Sequence, residues 1–92
     1  MPVEFEWDAA KARANARKHG VSFEEAASAF YDALSVTIPD PDHSAGESRF
    51  LLIGLTVKNR LVVVAHTDRD DRIRLISARR ASRRERRSYE KG

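Results

Sequence analysis

The residues best suited to chemistry lie in one stretch, Arg72 to Tyr89, reading RIRLISARRASRRERRSY. From Arg72 to Gly92 there are nine of the chain's seventeen Lys and Arg residues, opposed only by Glu85 and Glu90, a local charge of +7. All but Lys91 are arginines, whose planar guanidinium forks onto phosphate oxygens. This choice points toward a polyanion. Proton-transfer groups are scarcer. His66 has two readings: a hydrogen-bonded structural histidine at a strand end, or an imidazole titrating near neutral pH and able to move a proton. In the segment PDPDHSAGE, Asp40, Asp42, His43 and Glu47 are of metal-ligand types. Their spacing matches no named site, and turn-forming aspartates explain the segment better.

The elements that must position these groups follow from local pattern. Val3, Phe5 and Trp7 alternate with Glu4 and Glu6, the period of a half-buried strand. Asp8 is placed to cap an alanine-rich helix over 9–19, and Lys18-His19-Gly20 has the form of its end. Ser22 and Glu25 are spaced as a capping box. Phe23, Ala26, Ala27 and Phe30 then form a core-facing helical stripe. Leu34, Val36 and Ile38 alternate as a strand. Runs from Phe50 to Val57 and from Leu61 to Thr67 read as a hairpin about Lys58-Asn59, and Ile73, Leu75 and Ile76 continue the sheet. Ser82 with Glu85 marks a final basic helix. The expected fold class is α+β: two N-terminal helices packed on a central antiparallel meander, with a C-terminal basic helix, in one domain over 1–92.

Register can be tested from the loops. With Val57 opposite Arg60 and Thr67 opposite Arg72, Leu51, Ile53, Leu55, Val62, Val64, His66, Ile73 and Leu75 share the face toward the helices. Phe50, Leu52, Gly54, Leu61, Val63, Ala65, Arg72, Arg74 and Ile76 share the other face, where arginines stand over an aliphatic floor. A slip of one residue in a strand inverts its assignment.

Composition sets further bounds. Residues 1–48 carry −5 and residues 49–92 carry +8, an asymmetry suited to nucleic acid or an acidic protein. No window approaches the roughly 20 apolar residues of a membrane span, and no signal-peptide pattern opens the chain. The absence of cysteine excludes disulfides and thiolate zinc sites and is compatible with the cytoplasm.

Three stretches, KHGVSFEEA, PDHSAGESRF and above all RIRLISARRASRRERRSYE, resemble the BrnT family of toxins from bacterial type II toxin–antitoxin pairs. The likeness runs from Phe5-Glu6-Trp7 to Tyr89 and is most specific at Ile76-Ser77-Ala78-Arg79 followed by Glu85 and Tyr89. The resemblance implies a RelE-like, barnase-related fold and a small ribonuclease that inhibits translation by cutting RNA. It also implies a BrnA-like ribbon-helix-helix antitoxin as partner, with DNA met only indirectly through that antitoxin. No cofactor, metal or membrane is implied.

Metal-free RNA cleavage needs a base for the ribose 2′-hydroxyl, cations for the transition state and an acid for the leaving oxygen. On this reading Arg74, Arg79 and Arg80 are the leading phosphate clamps, and His43, Glu47 and His66 are the proton-transfer candidates, with Arg49 as a further cation. Arg72, Arg83, Arg84 and Arg87 would follow the RNA backbone, the helical ones being equally suited to an acidic antitoxin segment. The alternative is a non-catalytic module that binds nucleic acid or an acidic partner without cutting.

Overall fold

Short-range signals set the helices. The computed structural model describes residues 3–40 and 48–92. Asp8 caps α1 (Ala9–His19) by accepting the Lys11 amide at 3.0 Å, and Gly20, at φ 70°, ends it by donating to the Ala16 carbonyl. Ser22 caps α2 (Phe23–Ser28) through the Glu25 amide, and a 3-10 turn (Ala29–Tyr31) extends it. The expected capping box is half met. The Glu25 carboxylate, buried at 4% exposure, accepts instead from Thr56 Oγ1 and from the Arg60 guanidinium, which holds it below the usual carboxylate range. At α3 (Arg83–Lys91) the box is complete, with Ser82 and Glu85 each bonding the other's amide.

Among the described residues the strands are β1 (Glu4–Glu6), β2 (Val36–Pro39), β3 (Arg49–Leu55), β4 (Leu61–Arg69) and β5 (Arg72–Arg80), in the spatial order β1-β5-β4-β3-β2. The run from β2 to β5 is the expected antiparallel meander. However, β1 adds to β5 in parallel, so the sheet is mixed.

The first hairpin differs from expectation by one residue: Leu55, not Val57, is the last paired position, and it faces Leu61. Thr56 is the cause. Its Oγ1 accepts from the Lys58 and Arg60 amides, its carbonyl accepts from the Asn59 amide, and Asn59 turns the chain at φ 60°. The slip inverts β3, so Leu52 and Gly54 face the helices while Leu51, Ile53 and Leu55 face away. The second hairpin turns at Asp70-Asp71 with Arg69 opposite Arg72, two residues beyond the expected pairing, so Ile73 and Leu75 keep their face.

Two cores result. Val21, Phe23, Ala26, Ala29, Leu52, Val62, Val64, Leu75 and Ala78 fill the space between the helices and one sheet face. On the opposite face Ile53, Leu61 and Val63 are covered by Ala81 and Tyr89, so α3 occupies part of a surface that was expected to lie open. The Tyr89 hydroxyl donates to Asp32 Oδ2 at 2.6 Å, fastening α3 to the turn before β2. Gly54 is required where β3 meets the 3-10 turn, because a Cβ there would lie 2.8 Å from the Ala29 carbonyl oxygen.

Candidate active site

The parallel pairing of β1 with β5 decides which arginines are available. It sets Glu4 beside Arg72 and Glu6 beside Arg74. Arg72 Nε donates to Glu4 at 3.2 Å, Arg74 Nη1 donates to Glu6 at 2.9 Å, and Arg69 stands 3.8 Å from the same Glu6. These half-exposed pairs contribute little to stability, but they offset the charge of this end of the strand. Arg72 and Arg74 do lie on the face away from α1 and α2, as expected, in a setting shared with carboxylates.

At the other end of β5 the ladder is irregular. Ala65 pairs with Ser77 and His66 with Leu75, so Ile76 is the extra residue of a bulge. Beside it lies a cleft of about 410 Å3 lined by Asp40, Arg49, Leu51, Ala65, Ile76, Ser77 and Arg79. Strands β3, β4 and β5 supply all of these but Asp40, which follows β2, on the face away from the N-terminal helices. Asp40, 7% exposed, donates its amide to the Arg49 carbonyl at 2.9 Å. Thr67 Oγ1 donates to the Ser48 carbonyl at 2.6 Å and so pins the start of β3 next to Arg49.

Arg79 faces Val63 across the ladder, and its Nη1 and Nη2 donate to the two carboxylate oxygens of Glu85 at 2.8 and 2.7 Å. That fork, with the Ser82 amide, holds Glu85 at a pKa of about 2 and raises that of Arg79. A guanidinium has five N–H donors. Glu85 takes one from each terminal nitrogen, and Nη1 spends its second on the Arg80 carbonyl. Nε–H and one Nη2–H remain, a second fork of the right shape for a phosphate. The Arg79 side chain is 44% exposed, so this fork is reachable from solvent.

The structure separates the other candidates. Arg80 pairs with Val62, whose side chain faces the helices, so Arg79 and Arg80 leave the strand on opposite sides. His66 also lies on the helix side, 5% exposed, between the rings of Phe30 at 4.8 Å and Phe50 at 5.9 Å, with Nδ1 3.2 Å from the Val64 carbonyl. Burial lowers its pKa. It shares no space with Arg74 or Arg79. Arg83, Arg84 and Arg87 are exposed on α3, away from the Glu85–Tyr89 side that meets the sheet. His43 and Glu47 fall outside the described residues.

Asn15 was not anticipated. Buried at 7% exposure, it donates through Nδ2 to the carbonyls of Val21 and Ala78 and accepts the Ala78 amide on Oδ1. Beyond β1 the edge of β5 has no strand neighbour among the described residues, and this side chain completes both backbone bonds of Ala78. Arg79 is thereby held at the cleft. Among the described residues no group of three or more His, Cys, Asp or Glu comes together as a metal site, and no helix is long and apolar enough to cross a membrane.

Comparisons with known proteins agree with this architecture. A family model described as the ribonuclease toxin BrnT of type II toxin–antitoxin systems matches residues 7–85. Among solved structures, the ribonuclease toxin BrnT of Brucella abortus is similar with a TM-score of 0.60 and 24% identity, over 89% of this chain and 100% of that one. At that identity the likeness speaks for the fold. A comparison with curated proteins returned no match.

Proposed function

The chain belongs to the BrnT family of ribonuclease toxins of type II toxin–antitoxin systems, and from that premise we propose that it cuts RNA at the Arg79 cleft without a metal ion. The supporting observation is the Arg79 guanidinium, held by Glu85 with two N–H groups to spare, lining a cleft that also presents Asp40 and Arg49. The ribose 2′-oxygen attacks the adjacent phosphorus, the bond to the 5′-oxygen breaks, and a 2′,3′-cyclic phosphate remains. The 2′-hydroxyl proton passes to Asp40, or to His43 or Glu47 of the segment joining Asp40 to Arg49. The 5′-oxygen draws its proton from solvent across the open cleft. Arg79 and Arg49 carry the charge that builds on the phosphoryl oxygens, where one preorganised donor is worth about 3 kcal/mol. Arg74 and Arg80 lie to either side of this centre and serve the flanking backbone, and the exposed arginines of α3 add long-range attraction.

In the cell the reading is a cytoplasmic toxin that stops translation and is silenced by a BrnA-like ribbon-helix-helix antitoxin. The test is purified chain with single-stranded RNA in EDTA, with products examined for cyclic phosphate ends. Arg79→Ala is expected to lower the rate by about 10²–10³ and to relieve growth arrest, with an unchanged circular dichroism spectrum. A folded Arg79→Ala protein that cuts within a few-fold of wild type removes Arg79 from the chemistry. RNA bound but left intact by the wild type supports the non-catalytic module instead.

A further inference from the structure

The bulged edge of β5 separates two recesses. Ile76 and Ser77 line the Arg79 cleft and also a second recess of about 240 Å3, whose other walls are Lys11, Asn15, Lys18 and His19 of α1. Lys11, Asn15 and Lys18 are spaced i, i+4, i+7 and share one helix face, spanning about 10 Å along the axis. Arg80 leaves the strand on this same side. The cations here differ from those near β1. Arg69, Arg72 and Arg74 stand against Glu4 and Glu6, whereas Lys11, Lys18 and Arg80 form no ion pair among the described residues, Lys11 feeling only the more distant charge of Asp8.

We infer that single-stranded RNA crosses the free edge of β5, with Arg79 holding its backbone on one side and Arg80, Lys11 and Lys18 holding the continuing phosphates on the other. This extends the ribonuclease reading and rests on it. Two observations favour a polynucleotide over a protein here. A free strand edge usually recruits a peptide through its backbone groups. At Ala78 those groups already belong to Asn15, so the edge offers cations rather than a ladder. The split of Arg79 and Arg80 to opposite faces suits a chain that straddles the edge. The second recess is lined by one ring, the His19 imidazole, and by no Phe, Tyr or Trp platform, so its lysines grip phosphates and binding there is largely independent of sequence.

The probe is a fluorescent 2′-O-methyl oligonucleotide of about 12 nucleotides, which lacks the attacking hydroxyl. Its affinity is measured by anisotropy over a salt series. Single-stranded binding contributes about 0.7 to the log–log salt slope per neutralised phosphate. Lys11→Ala/Lys18→Ala should therefore flatten the slope by about 1.4. Arg13→Ala/Arg17→Ala removes equal charge from the opposite face of α1 and should leave the slope near wild type. Equal flattening by both pairs, or by neither, overturns the path. So does loss of antitoxin binding in the lysine pair with RNA binding intact, since a protein would then own the surface. RNA cutting by wild type alongside an unchanged slope in the lysine pair removes this path alone, whereas a wild type that neither binds nor cuts RNA removes the ribonuclease reading with it.

Discussion

Replacing Glu85 by Gln tests how far one carboxylate holds the C-terminal helix to the sheet. Gln retains the reach of a capping-box residue, so the change isolates the charge that faces Arg79. Folding takes the Glu85 pKa from an ordinary 4.5 to about 2. At about 1.4 kcal/mol per pH unit, that difference sets a ceiling of about 3.4 kcal/mol. Arg79 is 44% exposed and Glu85 23%, and solvent screening reduces the expected value to about 1–2 kcal/mol. The folded pKa lies below the unfolded one. The contribution is thus complete above about pH 4.5 and disappears as the pH falls toward 2. Urea denaturation of wild type and Glu85→Gln from pH 7 to pH 2 reads it directly, because every other titration is common to both proteins. The gap should be about 1–2 kcal/mol at pH 7, equivalent to at least about 4 °C in Tm, and should nearly close at the acid end. A gap that stays constant with pH would refute the reasoning.

Other perturbations probe other joints. Asn15→Leu strips three hydrogen bonds from buried backbone groups of Val21 and Ala78, and urea midpoints should show a loss of about 2–4 kcal/mol; a loss below about 1 kcal/mol would mean that water replaces the amide. Gly54→Ala forces β3 away from the Ala29 carbonyl and should cost about 1–3 kcal/mol, with faster amide exchange in the 3-10 turn; an unchanged midpoint contradicts the close approach. His66→Phe should keep most RNA cleavage, since the ring packs between Phe30 and Phe50 on the far side of the sheet from Arg79. A tenfold loss in a protein of native spectrum would return His66 to the chemistry.

Signals that act over three or four residues were legible in the chain. Asp8, Ser22, Gly20 and Ser82 mark helix ends through contacts within their own turn, and β4 keeps its expected faces because its alternation is unbroken. The inversion of β3 was not legible, because it depends on Thr56 gathering amides two and four residues onward and shortening the strand. Nor was the offsetting of charge at Arg72 and Arg74, whose acidic partners stand 68 residues earlier and meet them only through a parallel pairing. The adjacent residues Arg79 and Arg80 looked like one clamp. Strand alternation divides them, and the bulge at Ile76 sets which of the two enters the cleft. Asn15 gave no sign in a helix of alanines and cations, since its partner is a backbone unit 63 residues away.

The pairing of β1 with β5 joins two segments that leave the ribosome 68 residues apart. Among the described residues β1 pairs only with β5, which begins at Arg72, and the side-chain amide of Asn15 waits for Ala78. A nascent chain halted anywhere before β5 therefore holds an orphaned first strand, an unsatisfied helix and no Arg79. Closing so long a loop carries an entropic cost that must be met before the contacts of β1 with β5 are gained. The cleft at Arg79 is complete only once the segment from Arg72 onward has joined β1 and met Asn15.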